Sequence, residues 1–287
     1  KVKAAATRCR TLQGSSIWYA WDFEGHVSSK NYIKFLGTAG SRWVVSKQTR
    51  ASGGVYLQLS GKKVHLDPGP GALVRCAQAE PPIDPSFLDG IILTHSHIDH
   101  CCDVNIMIDA MTGGGFNKGG VLFAPRACLE GESRVVLSYL RPFLDEIVTI
   151  EPSQSYRLGD LGITTSIPHD HGIDTFGVTF DTDGRKVSFL VDTRYFPELP
   201  AAYAHADVLV VYVTFHDEPP HPKILHLCVN DVKEIVRIAK PKKVVMTHFG
   251  ISMLEADPPK VAARLTDELG VSVIAAEDGM VVPIDST

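Results

Sequence analysis

The apolar run Gly90-Ile91-Ile92-Leu93 ends in Thr94-His95-Ser96-His97-Ile98-Asp99-His100, and no other stretch restricts the fold as tightly. Three histidines and an aspartate packed this closely have the spacing of metal ligands. In extended or loop backbone, side chains two residues apart point the same way, so His95 and His97 can grip one ion. Asp99 and His100, just past the bend, then face a second. The short apolar run before them reads as a buried strand. The sequence therefore predicts a two-metal hydrolytic site at the end of that strand.

Composition limits what surrounds such a site. At 287 residues and 44% hydrophobic content, the chain can bury one large core or two modest ones. Mean hydropathy is +0.04, but no run reaches the roughly 18 apolar residues of a membrane span. The basic segment Lys1 to Arg10 is not followed by an apolar stretch, so no secretory signal is expected. Net charge is −5 and no Lys/Arg-rich run tracks a polyanion, so long nucleic acids are not favoured partners. A small-molecule substrate, including a short phosphodiester, fits better. The six cysteines (Cys9, Cys76, Cys101, Cys102, Cys128, Cys228) form no C-x-x-C pair, which suggests free thiols and a cytoplasmic setting. Cys101 and Cys102 follow the motif directly. Adjacent side chains on a helix diverge, and the nearby His and Asp suffice as ligands, so packing is their expected role.

Residues 1–31 read as an extension or arm, with the aromatic cluster Ile17-Trp18-Tyr19-Ala20-Trp21, packed on the body or on a partner subunit of a homodimer. Residues 32–287 read as one domain. Strands are expected at 32–36, 55–59, 63–66, 91–93, 121–123, 147–150, 163–167, 176–180, 186–191, 207–213, 243–247, 271–275 and 280–282. Helices are expected at 72–79, 103–111, around 134–140, at 231–240 capped by Asn230, and from Pro258, capped by Asp257, to Gly270. The glycine-rich segment 112–120 reads as a linker or as a lid over the site. Strand pairs followed by alternating strands and helices occur twice in succession. That pattern predicts an α/β fold, two facing mixed sheets with helices outside.

His95-x-His97-x-Asp99-His100 resembles the signature of the metallo-β-lactamase-fold superfamily, and the likeness extends over nearly all of residues 32–287. Asp67, ending a strand before Pro68-Gly69, resembles its first landmark. Asp192 in Phe189-Leu190-Val191-Asp192-Thr193 resembles the bridging aspartate. His248 in Val245-Met246-Thr247-His248-Phe249-Gly250 resembles the last histidine. In Pro168-His169-Asp170-His171-Gly172 two histidines compete. Related sequences carry a strand glycine six residues after the ligand, an offset that His171 and Gly177 match, which leaves His169 to support a ligand or face substrate.

The resemblance implies an αββα sandwich and two divalent ions. One would be held by His95, His97 and His171, the other by Asp99, His100 and His248, with Asp192 bridging and Asp67 orienting a ligand imidazole. This donor set suits Zn²⁺, with Mn²⁺ or Fe²⁺ as alternatives. A metal-bridging hydroxide is the implied nucleophile. His226 in Leu225-His226-Leu227 resembles an extra histidine of the phosphodiesterase branch, which includes ribonuclease Z-like and small cyclic-phosphodiesterase enzymes. There it would protonate the leaving group or bind a phosphate oxygen. Phe35-Leu36-Gly37-Thr38-Ala39-Gly40 also resembles the opening of that branch. The chain departs from ribonuclease Z in having no basic inserted arm and a different run after His226, which favours a small or cyclic phosphodiester over tRNA. Tyr195, three residues after Asp192, matches where some lactonases place a polarising tyrosine, so a lactonase or thioesterase-type hydrolase is the alternative. His65, His205, His216 and His221 have no motif support and read as surface, rim or hairpin-face groups.

Overall fold

Short β-rich segments separated by Gly, Pro and Asp turns build two sheets in this computed structural model, which describes residues 31–132 and 134–284. The expected arm lies outside the described residues except for Asn31. Its side chain donates to Asp183 and accepts from the Ser60 amide.

The first sheet contains β1 (Tyr32–Gly37), β2 (Ser52–Leu59), β3 (Lys62–Leu66), β4 (Gly90–Ile92), β5 (Val121–Pro125) and β6 (Glu146–Ile150). The second contains β7 (Ser155–Leu158), β8 (Leu161–Pro168), β9 (Phe176–Thr182), β10 (Arg185–Leu190), β11 (Val208–Tyr212), β12 (Lys243–Thr247) and β13 (Ser272–Ala275). A last strand, β14 (Val281–Pro283), crosses back to lie beside β1. The strand orders are β14-β1-β2-β3-β4-β5-β6 and β13-β12-β11-β10-β9-β8-β7. Each sheet begins with antiparallel pairs and turns parallel, from β3 onward in the first and from β10 onward in the second.

Alternation along these strands divides the apolar side chains between two directions. Phe35, Leu57, Val64 and Ile92 point inward to meet Val178, Phe180, Phe189 and Val210 of the other sheet. The opposite faces are covered by helices. Helix Val104–Met111 lays Val104, Met107, Ile108 and Met111, a helical-period stripe, on the first sheet. Helices Val229–Ala239 and Pro258–Leu269 cover the second with Val229, Val232, Ile235, Val236, Val261 and Leu265. This is the expected αββα sandwich. Among the described residues, no helix is long and apolar enough to cross a membrane.

Three expectations are corrected. The segment around 134–140 is not a helix, and only a 3-10 turn follows at Arg141–Phe143. The Asn105 side chain takes its backbone groups instead, donating to the Val135 carbonyl and accepting from the Leu137 amide. Helix Val229–Ala239 starts earlier than expected, with Cys228 rather than Asn230 at its cap. The Asp231 carboxylate reaches back to the Cys228 amide, and Asn230 lies within the first turn. Segment 112–120 is not a lid. β4 and β5 are parallel, with Gly90 opposite Val121, so the intervening helix returns the chain to the end of the sheet away from His95. The short helices Ser41–Lys47 and Ile98–Cys101 and strand β7 were not anticipated.

Candidate metal centre

Parallel strands of a sandwich direct their carboxyl ends to one rim, and ligands gather there. Leu66 pairs with Ile92 and the Asp67 amide bonds to the Ile92 carbonyl, which sets Asp67 level with the motif that begins at Thr94. In the facing sheet, Leu190 pairs with Val211 and Tyr212 with Thr247. Asp192, Thr214 and His248 therefore leave the ends of β10, β11 and β12 on the same side. The loop after β8 adds His169 and His171.

Side chains widely separated in sequence meet at this rim. His171 Nε2 lies 3.0 Å from His97 Nδ1, and His100 Nε2 lies 3.2 Å from His248 Nε2. Asp192 Oδ2 is 3.2 Å from His100 Nε2, 3.5 Å from His171 Nε2 and 3.7 Å from His95 Nε2. Its Oδ1 is 3.3 Å from His248 Nδ1. Asp99 Oδ2 lies 3.7 Å from the Nε2 atoms of both His100 and His248. Four groups of side chains could hold a cation, Asp67/His95/His100, His171/Asp192/His226 and the two triads His95/His97/His171 and Asp99/His100/His248, which have Asp192 between them. The two triads and Asp192 are the seven positions expected from the sequence.

Hydrogen bonds around the cluster select which ring nitrogens face it. Thr94 donates its hydroxyl to Asp67 Oδ2 (2.7 Å), so its oxygen is left to accept from His95 Nδ1–H (3.0 Å). Asp67 Oδ2 accepts from His100 Nδ1–H (3.0 Å), and the Leu225 carbonyl accepts from His171 Nδ1–H (2.9 Å). In His95 and His171 the proton sits on Nδ1 and the Nε2 lone pair faces inward, the arrangement that outer partners impose on metal-binding imidazoles, and His100 turns its Nε2 edge to the same interior. Two inward-facing atoms, His95 Nε2 and Asp192 Oδ1, are buried with no hydrogen-bond partner among the described residues. Buried polar atoms are rarely left in that state without a ligand to satisfy them.

Charge points the same way. Burial pushes His95 well below the ordinary imidazole range, lowers His97, and brings His171 down to about 4, so all three are neutral donors near pH 7. His100 departs from this pattern. Burial works against its protonation, yet Asp99, Asp192 and Asp67 hold it well above 6.5. Burial likewise opposes ionisation of Asp99 and Asp192, but the surrounding imidazoles hold both carboxyls below their usual range. A buried field that retains a proton on His100 also attracts a metal cation, and the donor set fits divalent ions.

Two of these residues occupy strained backbone. Asp67 has φ 51° and His248 has φ 62°, in the left-handed region that non-glycine residues avoid. The His248 turn is crowded as well, since a Cβ on Gly40 would overlap the His248 carbonyl and imidazole. Tyr212 stacks on the His248 ring at 5.0 Å and 10° and so holds it flat.

The remaining predicted residues separate clearly. His226 is beside the cluster, its ring 5.0 Å from His171 and 5.8 Å from His248, with Nδ1 3.6 Å from Asp192 Oδ1 and 3.3 Å from the Thr214 hydroxyl. Its side chain is one-fifth exposed, at the mouth. His169 turns away from the cluster toward Tyr203 and the Asp192 carbonyl. Tyr195 is half-buried against the outer helical layer, and no hydrogen bond or ring contact joins it to the cluster among the described residues. His65 lies on a face of the β2–β3 hairpin, opposite Tyr56, and is fully buried there against the Gly53 carbonyl. Cys101 is buried with its thiol on the Ser96 carbonyl, and Cys102 is exposed. Sequence reasoning missed Thr214, which touches both His226 and His248, and Tyr203. A lone Thr after an apolar strand and a Tyr in a 3-10 turn carry no signal of their own.

Residues 62–249 match a family model described as a beta-lactamase superfamily domain. An uncharacterized protein of Methanocaldococcus jannaschii is 30% identical over 260 residues, covering 88% of this chain and 94% of that one. The ribonuclease Z of Methanopyrus kandleri is 22% identical over 291 residues, covering 88% of this chain and 97% of its own. Among solved structures, the metallo-beta-lactamase fold protein YhfI from Bacillus subtilis superposes with a TM-score of 0.73 at 18% identity. It covers 88% of this chain and 98% of that one.

Proposed function

The chain belongs to the beta-lactamase superfamily of metal-dependent hydrolases, and from that premise we propose that it is a phosphodiesterase acting on a small or cyclic phosphodiester. His226 carries the reading. It stands beside the two triads, near enough to His171 and Asp192 to share a cation with them, and its place at the edge of the cluster suits a leaving group. Its Nδ1 lies 3.3 Å from the Thr214 hydroxyl, which can donate to it, and this leaves an Nε2–H to meet an oxygen at the edge of the cluster. The ribonuclease Z relative, an enzyme named for action on RNA, supports a phosphodiester.

Two divalent ions held by the triads, with Zn²⁺ the best match to the donors, would acidify a water and neutralise the oxygens on which charge gathers. The protein's own groups do the rest. Asp192 and Asp99 pair with the imidazoles around them and would hold the cations among them. His100 is fixed by Asp67, and His95 by Thr94. His226 donates a proton from Nε2 to the departing alkoxide.

That role has a specific test. A phenolate such as p-nitrophenolate leaves without acid assistance, whereas a ribose alkoxide needs it. With metal content unchanged, His226→Ala is expected to lower kcat on a cyclic nucleotide or dinucleotide by about 10²- to 10⁴-fold. The loss on bis(p-nitrophenyl) phosphate is expected to be much smaller. Equal losses on both substrates, or none on either, would remove His226 as the acid. A second reading, an RNA substrate, is favoured by the ribonuclease Z relative. It is separated by assaying a precursor tRNA beside cyclic nucleotides, with lactones and thioesters included to test ester hydrolysis.

A further inference from the structure

His169 resembles a ligand in sequence but faces the wrong way in space, and its contacts describe a different task. It follows Pro168 at the end of β8, is 6% exposed, and donates its amide to the Thr175 carbonyl. Its Nδ1 lies 3.1 Å from the carbonyl oxygen of Asp192, and its Nε2 lies 2.6 Å from the hydroxyl of Tyr203, itself only 2% exposed. A carbonyl can only accept, so the ring proton must be on Nδ1. Nε2 is then an acceptor, and the Tyr203 O–H must donate to it. One neutral tautomer satisfies both bonds, and neither nitrogen is left for an ion.

We propose that Tyr203 and His169 form a buried strut that fixes the backbone of Asp192, and with it the carboxylate between the two triads. They are positioning residues in the metal-dependent reading above, on which the inference rests. Tyr203 comes from the 3-10 turn Pro200–Tyr203 in the outer layer, so the strut ties that layer to the rim of the site. Its path needs Gly177, because a Cβ there would overlap the Tyr203 hydroxyl. Nearer the surface the same two loops are joined three more times. The Asp170 amide donates to the Thr193 hydroxyl, the Arg194 amide to the Asp170 carbonyl, and Arg194 Nε to Asp170 Oδ2. The loop carrying His171 and the loop carrying Asp192 therefore move as one piece. The strut is the buried bond among the four, which water cannot readily replace.

The test begins with the metal-free chain. ¹⁵N-histidine NMR is expected to find His169 in the Nδ1–H tautomer, and Tyr203→Phe is expected to release that preference. An Nε2–H tautomer in the wild type overturns the strut. Cobalt(II) titration then reads the consequence. Tyr203→Phe and His169→Leu are expected to bind about 10- to 100-fold more weakly, with altered visible bands. His169→Asn, whose amide N–H can occupy the place of Nδ1–H, is expected to restore binding close to wild type. Variants with a lowered melting temperature but wild-type affinity and spectrum overturn the positioning role. If His169→Leu does not fold, Tyr203→Phe, which removes a single oxygen, decides the matter. A wild-type chain that takes up no cobalt defeats the metal-dependent reading itself, a result distinct from uptake that the variants leave unaltered.

Discussion

Asp67 was legible through the family resemblance, which implies that it orients a ligand imidazole, and here it accepts from the Thr94 amide, the Thr94 hydroxyl and His100 Nδ1. Removing it leaves the His100 proton without its acceptor. Asp67→Ala is therefore expected to weaken one of two ions about 10- to 100-fold and to affect the other much less, read by titration against a chromophoric chelator. His65 supplies a second prediction, about stability. Burial lowers it from 6.5 to about 4, while the unfolded chain retains the ordinary value. Between those pH values the unfolded state holds the extra proton, so the contribution is complete above about 6.5 and is lost as pH falls through 4. The full effect is about 3 kcal/mol. His65→Gln is expected to flatten the dependence of unfolding free energy on pH by about 1.4 kcal/mol per unit inside that window. Denaturant titrations at several pH values check it.

At the scale of elements, the strand ends were readable because the ligand pattern and the apolar runs occupy adjacent residues. Gly90 to Leu93 followed by His95 gave both β4 and its cargo from a local pattern. Asp192 and His248, single residues at strand ends, had no local signal and were found through family resemblance. Errors arose where a side chain competes for backbone. Asn105 takes the groups that a helix over 134–140 would have used, a long-range contact that no local window contains. The lid reading of 112–120 failed for a topological reason, because a parallel crossover returns the chain to the opposite end of the sheet. Helix Ser41–Lys47 begins directly after the glycine turn that hid it. That turn is anchored by Asp278, whose carboxylate accepts from the Thr38 amide and hydroxyl and from the Ala51 amide. Thr38 in turn accepts from the Phe249 amide, next to His248. Asp278→Ala leaves buried donors without partners. It is expected to cost on the order of 3 kcal/mol of stability, seen as a lower denaturant midpoint at unchanged slope.

Across the whole molecule, two sheets that each turn parallel present their carboxyl ends to one rim, and a cation there would satisfy the buried His95 Nε2 and Asp192 Oδ1, which have no hydrogen-bond partner among the described residues. Metal binding and folding should therefore be linked. An ion at 100 times its dissociation constant stabilises by about 2.7 kcal/mol, so chelation is expected to lower the melting temperature by about 5 °C or more. The most direct measurement counts metal in chelator-treated protein reloaded with zinc and freed of excess by dialysis. Two ions per chain are predicted for the wild type, with about one in His97→Ala and in Asp99→Ala. Retention of no zinc by the folded wild-type chain, or equal zinc in all three proteins, would contradict the account.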